Sequence, residues 1–97
     1  MNIPEKFIIH GHDIIVKVVD TLPNNEYGNY NHAKEEITIA KKIVDDNEVI
    51  ELTPIQIEHT FIHELIHLFQ FHVKGEFDEG EAQAYSGLLI EFLNTKK

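Results

Sequence analysis

The segment TPIQIEHTFIHELIHLFQFHVKG, residues 53–75, decides how the rest of the chain is read. Thr53 is a good helix N-cap, Pro54 suits the first helical position, and Gln56 completes a capping box. Leu52 and Ile57 stand where a hydrophobic staple would form. Gly75 is a natural stop. The pattern predicts a helix from about residue 54 to about residue 73. With a rotation of about 100° per position, Ile57, Phe61, Ile62, Leu65, Ile66, Leu68, Phe69 and Val73 cover a broad apolar half. Gln56, His59, Thr60, His63, Glu64, His67 and Gln70 form the opposite stripe. A helix with so wide an apolar sector packs into a core, and its polar stripe lines either solvent or a cleft.

Within this helix lies His63-Glu64-Leu65-Ile66-His67, an H-E-x-x-H string. Histidines four apart stack on one helical face. That spacing suits two ligands of a tetrahedral Zn²⁺, with Glu64 beside them to take a proton from an activated water. With 7 His in 97 residues, the string arises by accident in roughly one such sequence in fifteen. Context must therefore discriminate. The helix is capped, both histidines fall on its polar stripe, and no Lys or Arg occurs between Lys42 and Lys74. An ordinary solvated face would carry Lys and Glu. The chemistry expected is metal-assisted hydrolysis with one Zn²⁺ per chain.

Catalytic zinc usually has a third protein ligand. Residues 76–81 offer four carboxylates, and residues 82–93 read as a second helix with Asp78 as N-cap and Glu81 closing a box. Glu81 shares a stripe with Ala84, Tyr85, Leu88 and Phe92, the more apolar face of this helix. A carboxylate on an inward face needs a cationic partner, so Glu81 is the expected ligand. Glu79, on the stripe of Ala82, Ser86, Ile90 and Leu93, is the alternative, and His72 is another. The loop is long enough to bring the second helix back to His67.

Upstream, Phe7-Ile8-Ile9 and the run Ile14–Val19 read as a hairpin around His10-Gly11-His12-Asp13, the second strand being a candidate for burial on both faces. Leu22-Pro23-Asn24-Asn25 signals a turn. Tyr27-Gly28-Asn29-Tyr30 is a short strand, Glu36–Ala40 another, and Asp45-Asp46-Asn47-Glu48 a solvated loop. The expected fold is a single α+β domain over residues 1–97. A small antiparallel sheet packs on the active-site helix, and a second helix carries the third ligand.

These motifs together resemble the minimal gluzincin metallopeptidases, similar to the ImmA/IrrE-like and phage-type enzymes. The resemblance rests on the Tyr27–Tyr30 strand, Ile37-Thr38-Ile39, His63-Glu64-Leu65-Ile66-His67 and Glu81-Ala82-Gln83-Ala84-Tyr85, and spans about residues 6–93. It implies a zincin-like fold, zinc on His63, His67 and Glu81, and Glu64 as general base. It also implies an edge strand, Gly28-Asn29-Tyr30, that pairs with a peptide or protein substrate. The 97 residues lack the C-terminal subdomain of larger gluzincins. The oxyanion donor is therefore sought in Tyr85 or Tyr30, with His59 lining the cleft or supporting the site. The competing reading is a non-catalytic metal-binding or regulatory module on the same fold. Retention of Glu64, which a purely structural site does not require, favours the enzyme.

The net charge of −9 argues against direct nucleic-acid binding, which needs a basic surface. Without cysteine there is no disulfide framework. No signal peptide and no membrane-length apolar run is read in the chain, so a cytoplasmic location is the default expectation. Self-association through the exposed edge strand is a further expectation.

Overall fold

His10 and Gly11 both take positive φ (50° and 79°), the geometry of a two-residue hairpin turn whose twist matches the flanking strands. They join β1 (Lys6–Ile9) to β2 (His12–Val19). A short 3-10 turn at Pro23–Asn25 follows, then β3 (Gly28–Asn31) and β4 (Glu36–Ala40). The structure, a computed structural model, describes residues 2–97.

The sheet order is β1-β2-β4-β3. β1–β2 and β3–β4 are antiparallel, but β2 and β4 run parallel, with Val16 opposite Ile37 and Val18 opposite Ile39. The wholly antiparallel sheet expected from sequence is thus corrected to a mixed one. The connection from β2 to β3 is too long for a tight hairpin, so the chain steps over one strand position and β4 returns into the gap. β3 is left on the edge. Nor is β2 buried on both faces: Ile14 and Val16 are buried, whereas Val18 is 45% exposed. The segment expected as a solvated loop is the tip of a second hairpin, β5 (Lys42–Asp45) with β6 (Glu48–Glu51). Asp46 and Asn47 turn it with positive φ. Asn25 fastens it by hydrogen bonds to the Val44 backbone.

α1 (Pro54–Lys74) forms as its sequence dictates. Thr53 Oγ1 accepts from the Gln56 amide, and Gln56 Oε1 accepts from the Thr53 amide. At the other end Gly75 adopts the left-handed cap (φ 71°). Phe61, Ile62 and Leu68 of α1 pack on Ile14, Val16, Tyr30, Ile37 and Ile39 of the sheet. α2 (Glu79–Thr95) begins at its N-cap Asp78 and packs against α1. Its fully buried residues are Ala82 and Ser86, and Leu89, Ile90 and Leu93 reach the same core. Tyr85, Leu88 and Phe92, at 54%, 65% and 60% exposed, lie on the outer face. The inward face of α2 is therefore the stripe of Ala82, Ser86, Ile90 and Leu93, not the stripe of Tyr85, Leu88 and Phe92 expected from sequence. Among the described residues no helix is long and apolar enough to cross a membrane.

Candidate metal centre

His63 and His67 sit one turn apart on α1, their rings 4.8 Å apart. His67 is buried and donor-locked from behind: its Nδ1 lies 2.9 Å from Gln70 Oε1. Gln70 Oε1 also accepts from the Asp78 amide and so acts as an acceptor. Nδ1 therefore carries the hydrogen in that contact, and Nε2 faces the cleft as a candidate ligand atom. Gln70 Nε2 in turn donates to the Asp78 carbonyl at 3.0 Å and to Glu81 Oε1 at 2.8 Å. One amide thus orients a histidine and anchors the start of α2.

The structure brings Glu79, not Glu81, to the histidines. Glu79 Oε1 lies 2.5 Å from His67 Nε2, and Oε2 lies 3.4 Å from His63 Nε2. Burial acts against the Glu79 charge. Hydrogen bonds from His67 and His63 outweigh it and hold this carboxyl below its usual range. Glu81 is turned away, its carboxylate held by Gln70 and by Lys74 at 3.3 Å. The reason is the face on which α2 packs. With Ala82 and Ser86 inward, Glu79 is carried to the cleft side and Glu81 to the flank. Asp78 caps α2 by accepting from the Glu81 amide, and this fixes that rotation.

Glu64 is buried beside the pair, 8% exposed. Burial raises its carboxyl from the usual 4.5 to about 7, opposed by His67 and a Tyr30 backbone hydrogen bond and reinforced by Glu79 and Glu26. A group poised near neutrality suits proton exchange in either direction. The strand opposite is pressed close. A Cβ on Gly28 would lie 2.5 Å from Thr60 Cγ2 and 3.2 Å from Glu64 Cγ. Glycine is needed here for the close approach of β3 to α1, not for an unusual φ.

Of the strand residues named from sequence, Gly28, Asn29 and Tyr30 all line the cleft beside Glu64, His67 and Glu79. The Ala40 amide bonds the Tyr27 carbonyl. By antiparallel alternation, the backbone groups of Gly28 and Tyr30 turn away from β4 towards the edge, where the Tyr30 amide hydrogen-bonds the Glu64 carboxyl. The Tyr30 side chain, however, is buried, and its hydroxyl donates to Glu35 Oε2 at 3.1 Å. Desolvation and this contact push its pKa up. That removes Tyr30 as an oxyanion donor. Tyr85 is removed too, since it lines an apolar groove with Ile66, Phe69 and Val73 on the other side of the helix pair. His59 does line the main cleft, an open space of about 440 Å³ shared with Glu26, Gln56, Thr60, His63 and Gln83. Its Nε2 is enclosed and has no hydrogen-bond partner among the described residues. Sequence reading missed Gln70 and Glu26 as site residues. Gln70 had a signal, since it follows His67 by three positions on the same stripe; Glu26 had none.

The donor set fits a zinc-class ion. His63, His67 and Glu79 each offer one atom, all within 4.8 Å of one another. Two imidazoles and one carboxylate with a side open to the cleft form the set used by catalytic zinc. No family model, no curated protein and no solved structure matches the chain.

Proposed function

We propose that this chain is a zinc-dependent metallopeptidase of minimal gluzincin type. The observation that carries the reading is the convergence of His63, His67 and Glu79, with the buried Glu64 carboxyl beside them. His63, His67 and Glu79 would hold a zinc ion, which when bound would supply Lewis-acid polarisation of a carbonyl and acidify water. Glu64 accepts a proton from the attacking water and returns it to the leaving amine. The outward backbone of Gly28, with the Tyr30 carbonyl, pairs with an extended peptide and holds it across the cleft. His59 and Glu26 border that cleft and bear on the peptide's side chains. A neutral or cationic peptide suits the acidic surface better than an anionic one.

The non-catalytic reading keeps one observation in its favour: of the tyrosines singled out for oxyanion stabilisation, Tyr30 has its hydroxyl bonded to Glu35 and Tyr85 lines a different groove. Comparing wild type with Glu64→Gln separates the two. The enzyme reading expects both proteins to hold zinc and only the wild type to cleave unstructured peptides. Equal cleavage by both removes Glu64 from the chemistry, and zinc binding without cleavage by either favours the binding module. Glu79→Ala weakens zinc retention more than Glu81→Ala; the reverse order would restore Glu81 as ligand.

A further inference from the structure

The cleft stripe uses His59, His63 and His67. The other four of the 7 histidines gather at the far end of α1, where nothing in the proposed hydrolysis needs them. His72 lies five positions beyond His67, roughly 7.5 Å further along the helix and on a different face. Its Nδ1 is 3.2 Å from His10 Nδ1. Its Nε2 is 3.5 Å from Glu35 Oε2. The His12 ring stands edge-on to His72 at 5.6 Å, with His12 Nδ1 3.8 Å from Glu35 Oε1. His32 is stacked on Phe71 and takes no part in the cluster.

We propose that His10 and His72 bind a second divalent ion of the zinc class, completed by His12, at a site separate from the cleft. The 3.2 Å between the two nitrogens is a hydrogen-bond distance, and it is also close to the separation of two ligands on one metal. Bonds of about 2.0–2.1 Å at a tetrahedral angle hold ligand nitrogens roughly 3.3 Å apart. The rear of His72 is arranged as a metal-bound imidazole requires. With Nδ1 on the ion, Nε2–H points at the Glu35 carboxylate, which fixes the tautomer and strengthens the ligand. Glu35 is itself held by the Tyr30 hydroxyl. His72 is nearly enclosed, its side chain 9% exposed, so its orientation is set by packing before any ion arrives. His12 is 58% exposed, and its ring nitrogens do not lie within 4.8 Å of both other ligand atoms as the chain stands, so the third bond requires its side chain to rotate. The cation lies at the C-terminal turn of α1, where the helix dipole favours positive charge.

His10 is left-handed (φ 50°) as the β1–β2 hairpin turn requires, and Glu35 is left-handed (φ 52°) in the turn before β4. The three histidines come from the β1–β2 turn and the end of α1, and Glu35 adds the β3–β4 turn. An ion here ties the sheet to the helix and acts as a staple. Imidazole donors select zinc, copper or nickel over calcium or magnesium.

The test is the zinc stoichiometry of the chelator-stripped full chain by equilibrium dialysis, with melting temperature as a second readout. His10→Asn is the central variant, because it leaves a residue that suits the turn. Wild type is expected to bind two equivalents and His10→Asn one. A His63→Ala/His67→Ala variant is expected to keep one equivalent and to melt higher with zinc; adding His10→Asn should abolish both. His12→Ala is expected to weaken the same equivalent roughly tenfold or more. If His10→Asn binds as much zinc as wild type, or the cleft variant binds none while still folded, the second site does not exist. Loss of only the cleft equivalent in the cleft variant leaves the second site standing, whatever becomes of the peptidase reading.

Discussion

Glu64 shows what burial does to a single carboxyl. Its pKa is raised from 4.5 to about 7 by desolvation. Between those values the native state keeps a proton that the unfolded chain has lost, so stability falls as pH rises through the window. Without metal, Glu64→Gln is therefore expected to stabilise the chain by roughly 1–3 kcal/mol above pH 7 and hardly at all below pH 4.5. Thermal melts of chelator-treated protein at pH 4 and pH 8 check this; a gain that is the same at both would contradict it. Gln70 is the other decisive residue. Gln70→Leu keeps the bulk but removes the acceptor for His67 and the anchor of Asp78. Zinc affinity is expected to fall about 10–100-fold with His63 and His67 intact, as competition with a chelator of known affinity would read. Glu64 and the two histidines were legible because a motif within five positions fixes their relative placement. Glu79 was not, because its choice over Glu81 depends on which face of another helix turns inward.

At the scale of elements, the contact between β3 and α1 sets the width of the cleft. Gly28→Ala places a methyl against Thr60 Cγ2 and is expected to cost about 1–3 kcal/mol. Thr60→Ser removes that methyl and keeps a hydroxyl for the Gln56 carbonyl that Thr60 now bonds. The double variant should recover part of the loss, and additive denaturation midpoints would refute the contact. α1 was readable from end to end because its cap, period and stop all lie along one continuous segment. α2 was readable in extent but not in orientation. Its two stripes differ little in apolarity, and the more apolar one, with Leu88 and Phe92, is left outside. Small Ala82 and Ser86 let α2 approach α1, and the Asp78 cap held by Gln70 fixes the rotation. The β5–β6 hairpin escaped notice because each strand is only four residues with charged ends.

Across the whole molecule, a cation at the proposed centre would add a further link between α1 and α2, which already pack against each other. The two helices and the edge strand meet at His63, His67 and Glu79, where Glu26, Glu64 and Glu79 bring three carboxylates together. Zinc at about 100-fold over its dissociation constant is expected to stabilise the fold by roughly 2.7 kcal/mol per site. In a domain of this size that raises Tm by about 10 °C or more. Calorimetry with zinc and with magnesium checks this; equal shifts would contradict an imidazole site. The sequence by itself determined the capped helix, the shared face of its histidines and the α+β class. These follow from spacing within a turn or alternation within a strand, which are local properties of the chain. Only the tertiary structure decided the parallel pairing of β2 with β4, the choice of Glu79, and the meeting of His10, His12 and Glu35 around His72. Each of these depends on strand order or helix rotation, and those are set by how distant segments bury their apolar surface together.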